Sequence, residues 1–133
     1  MLIETILKKL EAEFSSLDHR IDSSNKSITI PSIVKEIGFV TIEEYLDYEV
    51  IVYIGNITHC HLGSYNEQCN EMQKANEVAE KVSIFLKQLF EDQIVFWKGK
   101  RSSGFYKLGN KPNSKSWFGK QHAEWVWSGQ KHS

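Results

Sequence analysis

Leu2, Ile3, Ile6, Leu7, Leu10 and Phe14 recur at helical spacing with charged residues between them. That spacing predicts an amphipathic helix of about three or four turns whose apolar stripe must lie on a sheet or another helix. The period is lost from Ser15 to Ser27, which reads mostly as loop, with Leu17 and Ile21 either extending the helix or anchoring the loop. Ser27-Ile-Thr-Ile-Pro31 predicts at most an edge strand, because Pro31 lacks a ladder donor and restricts Ile30. Ile37 to Tyr45 alternates as a strand does, with Gly38 marking a bulge or a close approach and Leu46-Asp47 reversing the chain. A tight turn there pairs Thr41 with Val52 and Ile42 with Ile51.

The stretch from Tyr48 to Leu62 organises the rest. Val50 to Ile54 is an unbroken β-branched and aromatic run, suited to a pleated, packed surface and poor in a helix. Gly55-Asn56 then has the signature of a two-residue type II′ turn. That turn sets Ile54 opposite Ile57, Val52 opposite His59 and Val50 opposite His61, with Ile51 facing Cys60 and Tyr53 facing Thr58.

Asn66 is placed to cap a long helix beginning at Glu67. Met72, Ala75, Val78, Ala79, Val82, Phe85, Leu86 and Leu89 line one side of it, and Glu77–Lys81 forms an i,i+4 pair on the other. Gln93 to Trp97 and Phe105 to Leu108 read as an antiparallel strand pair around the loop Lys98–Gly104. Asn110 to Gln121 reads as loop with a Trp117-Phe118 island, and Glu124 to Trp127 as a last strand. Strand runs joined by short turns predict an α+β domain of two layers over residues 1–133. Its mainly antiparallel sheet has about six strands, with two amphipathic helices packed on one face.

Composition narrows the class without naming an activity. The chain has 133 residues, 41% hydrophobic and 25% charged, as in one ordinary globular domain. No stretch approaches the ~20 apolar residues of a membrane span, and charges break the N-terminal apolar positions too often for a signal peptide. Cys60 and Cys69 form no disulfide framework, so a reducing, cytoplasmic setting is the expectation. The net charge of −1 hides a division. Residues 1–92 carry eight Lys/Arg against sixteen Asp/Glu, net −8, while residues 93–133 carry eight against Glu124 alone, net +7. The C-terminal segment is therefore suited to an acidic partner or a phosphate, unless its cations only solvate one face.

His59 and His61 lie two apart on a strand, so both imidazoles point the same way and can offer two nitrogens to a transition metal. Glu43, His122 or a carboxylate of the long helix are the available further ligands, while Cys60 points to the opposite face. The competing reading is two solvated histidines on the less buried face of a sheet. No nucleophile elbow, carboxylate dyad or phosphate loop is present, so the residues argue against an enzyme and imply no cofactor. Aromatic and basic residues interleave near the C-terminus. Lys98, Lys100, Arg101, Lys115, Trp117, Phe118 and Lys120 are the candidate partner-binding residues, while Trp97, Phe105 and Trp125 suit a core.

The function expected from these features is a non-catalytic protein-binding module whose partner presents an acidic surface. By analogy alone, small domains of this kind serve as adaptors, chaperones or immunity proteins of bacterial systems. The alternatives are nucleic-acid binding through the basic aromatic segment, and a metal-binding protein or hydrolase built on His59 and His61.

Overall fold

The structure, a computed structural model, describes residues 2–14, 20–22, 26–32, 34–35, 37–99, 102–109 and 122–129. Helix α1 (Leu2–Glu13) buries Leu2, Ile3, Ile6 and Leu10, the predicted stripe. Its Ile3 amide, one of the donors a helix start leaves unpaired, donates to Glu44 Oε1 at 3.0 Å. A carboxylate at this end also complements the helix dipole. Helix α2 (Glu71–Phe90) lies beside α1, with Lys9 bridging Glu13 at 3.0 Å and Glu80 at 2.8 Å.

The strands form two antiparallel sheets in place of the expected one of about six strands. The first is a meander of β1 (Arg20–Asp22), β2 (Ser27–Pro31), β3 (Phe39–Leu46), β4 (Glu49–Ile54) and β5 (Thr58–Gly63) in chain order. The second places β6 (Ile94–Gly99) between β7 (Ser103–Lys107) and β8 (His122–Trp125). The three C-terminal strands satisfy one another: β6 takes β7 on one edge and β8 on the other. The Ser103 hydroxyl donates to the Ile57 carbonyl, tying the second sheet to the first.

Both helices share one core with the inner face of the first sheet, where Ile28, Ile30, Val40, Ile42, Val50, Val52 and Ile54 meet Ile6, Leu10, Val78, Val82, Leu86 and Leu89. Ile94 and Phe96 of β6 reach the same core. Val95, Trp97, Tyr106 and Val126 form a smaller one. Residues 94–97 are buried in succession, the pattern of a strand covered on both faces.

Four local expectations are corrected. First, β2 is not an edge strand: β1 pairs outside it, and Pro31 stands at the last position of β2, where its missing donor costs least. Second, the turn after β3 falls at Asp47-Tyr48, where Tyr48 takes φ +58°, and an irregularity intervenes between Glu44 and Leu46. Thr41 therefore pairs with Tyr53, and Ile42 with Val52. Third, α2 starts at Glu71. Asn70 accepts from the Gln73 amide at 2.8 Å while the Gln73 side chain accepts from the Asn70 amide at 2.9 Å, a reciprocal cap that Asn66 cannot form. Asn66 instead accepts from the Gln68 amide in a local turn, and Met72 is exposed.

Fourth, the central hairpin keeps its turn and shifts its register. The Ile57 amide donates to the Ile54 carbonyl at 3.0 Å, so the reversal lies at Gly55-Asn56 as expected. The ladder nevertheless pairs Ile54 with Thr58, leaving Ile57 as an extra residue whose side chain enters the core. Tyr53 now faces His59, Val52 faces Cys60 and Ile51 faces His61. One residue of slip exchanges the two faces of a strand. Here it turns Cys60 and Leu62 towards the core and both imidazoles outward.

Candidate functional site

Neither helix covers the outer face of the first sheet. Alternation along the strands brings Thr41 and Glu43 of β3, Glu49, Ile51 and Tyr53 of β4, and His59 and His61 of β5 onto it. Four rings run across it in contact. Tyr45 meets His61 edge-on at 5.3 Å between centroids, His61 meets His59 at 5.5 Å, and His59 meets Tyr53 at 5.8 Å. Phe39, Tyr45 and Leu46 of β3 remain 51%, 54% and 61% exposed, large apolar surface that the fold itself does not bury.

Glu49 anchors one end of the face. Its Oε2 lies 3.1 Å from His61 Nδ1, and its Oε1 accepts from the Tyr65 hydroxyl. The tyrosine hydroxyl and then the imidazole hold the Glu49 carboxyl below the usual carboxylate range, while the carboxylate raises the Tyr65 phenol. Gly63 makes this possible: a Cβ there would sit 2.8 Å from the Tyr65 hydroxyl and 3.2 Å from Glu49 Cβ. Behind it, Lys81 donates to the Gly63 carbonyl at 2.6 Å and Ser64 Oγ donates to Glu77 Oε2 at 2.6 Å, pinning the end of β5 to α2. The expected Glu77–Lys81 pair is present at 3.4 Å.

A pH dependence follows. Because the folded-state pKa of Glu49 is depressed, the clasp contributes above the carboxyl's ordinary value and is lost as pH falls through the lowered one. Tyr65→Phe removes the leading cause of that depression. An NMR titration is expected to show the Glu49 carboxyl in the variant titrating at higher pH than in the wild type, and an unchanged midpoint would contradict the arrangement.

No protein-family model, curated protein or solved structure matches the chain.

The residues singled out by sequence divide as follows. His59 and His61 are brought together on the outer face, and Cys60 faces the other way as expected. Glu43 lies in the same cross-strand row as His61, two strands away with Ile51 between, and α2 is on the opposite face. The His122 side chain lies outside what is described. Among the described residues no three His, Cys, Asp or Glu side chains gather to hold a metal. Burial pushes the Cys60 thiol up to about 11, so it stays protonated and unreactive at neutral pH. Ser64 is buried and spends its hydroxyl on Glu77.

Lys98 is exposed on β6, opposite Ser103 and Ala123. Lys100, Arg101, Lys115, Trp117, Phe118 and Lys120 lie outside the described residues, as does the predicted loop that holds the last four. Trp97 is buried beside Gly104, Trp125 and Phe105 pack on the main core, and Trp127 meets Phe90 at 5.2 Å between rings. Glu124, the single acid of residues 93–133, is buried and accepts from the Tyr106 hydroxyl at 2.7 Å. Among the described residues no helix is long and apolar enough to cross a membrane.

Sequence reasoning missed Glu49, Tyr65, Tyr45 and Tyr53 as parts of a site. One signal was available: Glu49 is the only charged residue of β4, where an acid in an otherwise apolar run calls for a partner.

Proposed function

We propose that this protein is a non-catalytic protein-binding module that meets its partner with the outer face of the five-stranded sheet. The observation that carries the reading is the ring cluster on the outer face, with exposed Tyr45 and Leu46 at one end of β3 and exposed Phe39 at the other, on a face that neither described helix covers. Aromatic residues of this kind supply hot spots in protein interfaces, and a rigid antiparallel sheet presents them at little ordering cost. The +7 charge of residues 93–133, with its one carboxylate turned inward, favours a partner with an acidic surface, met by Lys98 and the basic residues that follow it. Adaptor, chaperone and immunity-type roles are forms of this reading, separated by the partner's identity.

Nucleic-acid binding is less well supported. Trp97, Trp125 and Trp127 are engaged in packing, which removes three of the four tryptophans as stacking platforms.

The test is capture from nuclease-treated lysate of the native source, with wild type and a Phe39→Ala/Tyr45→Ala variant of equal melting temperature. The expected result is a stoichiometric protein partner whose capture the variant weakens by about tenfold or more. Capture should also fall with added salt and with Lys98→Glu. Absence of a stoichiometric partner, or equal capture by both proteins, overturns the proposal.

A further inference from the structure

We propose that His59 and His61 form a two-nitrogen site for one divalent transition-metal ion of the copper, nickel and zinc group, with the remaining coordination positions held by water. The inference stands on the imidazole pair and is independent of any protein partner.

Three observations carry it. The Ile54–Thr58 register places both rings on the outer face, where an ion can reach them; His59 is exposed and the His61 side chain is 42% exposed. Their spacing is also right. With metal–nitrogen distances of ~2.0–2.1 Å, two imidazoles sharing one ion at angles between 90° and 120° have centroids about 4.5–5.5 Å apart. The rings here stand 5.5 Å apart at 66° to one another, a separation at the upper end of that range. Residues two apart on a strand hold that spacing without any loop ordering.

The third observation is the outer support. Glu49 accepts from His61 Nδ1, and the Tyr65 hydroxyl occupies the other carboxylate oxygen. A carboxylate on one ring nitrogen fixes the tautomer, orients the ring and leaves Nε2 as the metal donor, the arrangement that supports histidine ligands generally. Space for Tyr65 in turn requires Gly63. Imidazole donors suit copper, nickel and zinc, and affinity should follow the order that puts Cu2+ first and Mn2+ last. Two protein donors with open water positions make an exchangeable site and not a closed structural one.

The experiment uses the full chain without an affinity tag, stripped of metal and titrated with Cu2+ by calorimetry. Copper-induced broadening of NMR resonances locates the ion. The expected result is one saturable equivalent, with broadening centred on His59, His61, Tyr45 and Tyr53. His59→Gln and His61→Gln should each weaken binding at least tenfold while circular dichroism is unchanged. Glu49→Gln, which keeps the shape and removes the charge, should weaken it by about 10- to 100-fold. No saturable equivalent, binding unaffected by both histidine substitutions, or broadening centred elsewhere overturns the proposal.

Discussion

Gly55→Ala is expected to destabilise the fold by about 3–5 kcal/mol, a cost in the uncommon upper range for a single substitution. Gly55 has φ +52°, a conformation that an L side chain adopts only at a cost of ~1–2 kcal/mol. The larger problem is space: a Cβ on Gly55 would stand 2.1 Å from the Ile37 carbonyl oxygen. That oxygen belongs to backbone that cannot yield cheaply. Ile37 is buried in the core, its amide donates to the Val34 carbonyl at 3.1 Å, and the Gly55 amide donates to the Phe39 carbonyl at 2.8 Å. Gly38 separates the two contributions. It has φ +72°, but a Cβ added there would meet nothing within 4 Å, so Gly38→Ala should cost only the conformational part, about 1–2 kcal/mol. Urea unfolding of both variants reads the difference as a shift in midpoint at constant slope. Equal midpoints would show that the contact between the 37–38 turn and the central hairpin does not exist as described.

Phe96→Ala is expected to cost about 3–5 kcal/mol, the usual range for emptying a buried aromatic site. Phe96 is fully buried in the middle of β6, opposite Phe105 on one side and Trp125 on the other. Its side chain joins the main core, whereas its neighbours Val95 and Trp97 belong to the smaller one. Truncation therefore loosens the seat of the three-stranded sheet on the rest of the molecule. In the wild type, near-ultraviolet dichroism from Trp97, Trp125 and Trp127 should vanish at the same urea concentration as the helical signal. In the variant, both should move to lower urea. A loss under about 1 kcal/mol would mean that the second sheet does not rest on the helices through this residue.

Elements with a single dominant period were legible. The α1 stripe, the apolar face of α2 from Ala75 to Leu89, the strand Glu49–Ile54 and the Gly55-Asn56 reversal all follow from spacing and residue type. The assignment of Trp97, Phe105 and Trp125 to packing was legible as well, because aromatics at alternate positions of short strands suit a core. Strand β1 was not, since the three residues Arg20-Ile-Asp22 are too few to show a period and form a strand through their pairing with β2. The start of α2 was misplaced because Asn66 and Asn70 are equally good caps in isolation, and only Asn70 has Gln73 three residues on.

The candidate site was half legible. The His59 and His61 pairing on one face is a property of strand geometry and needs no partner. That this face is the less buried one was one of two readings the chain allowed, and the expected register did not decide it. The outcome depends on Ile57, which a two-residue turn would have placed in the ladder and which the core instead takes for itself. Glu49 and Tyr65 come to His61 from 12 and 4 residues away through the β4–β5 register and the bend at Gly63.

Local spacing and residue type by themselves determined the kinds of elements, the antiparallel hairpin at the centre, and the division of charge between the first 92 residues and the rest. Tertiary structure decided that the strands divide into two sheets, that the imidazoles turn outward, and that Glu124, the one acidic side chain of the C-terminal segment, turns in. The physical reason is that periodicity records which side chains leave water together, whereas register is set by competition for core volume. Moving Ile57 from ladder to core reverses every side chain that follows it along β5.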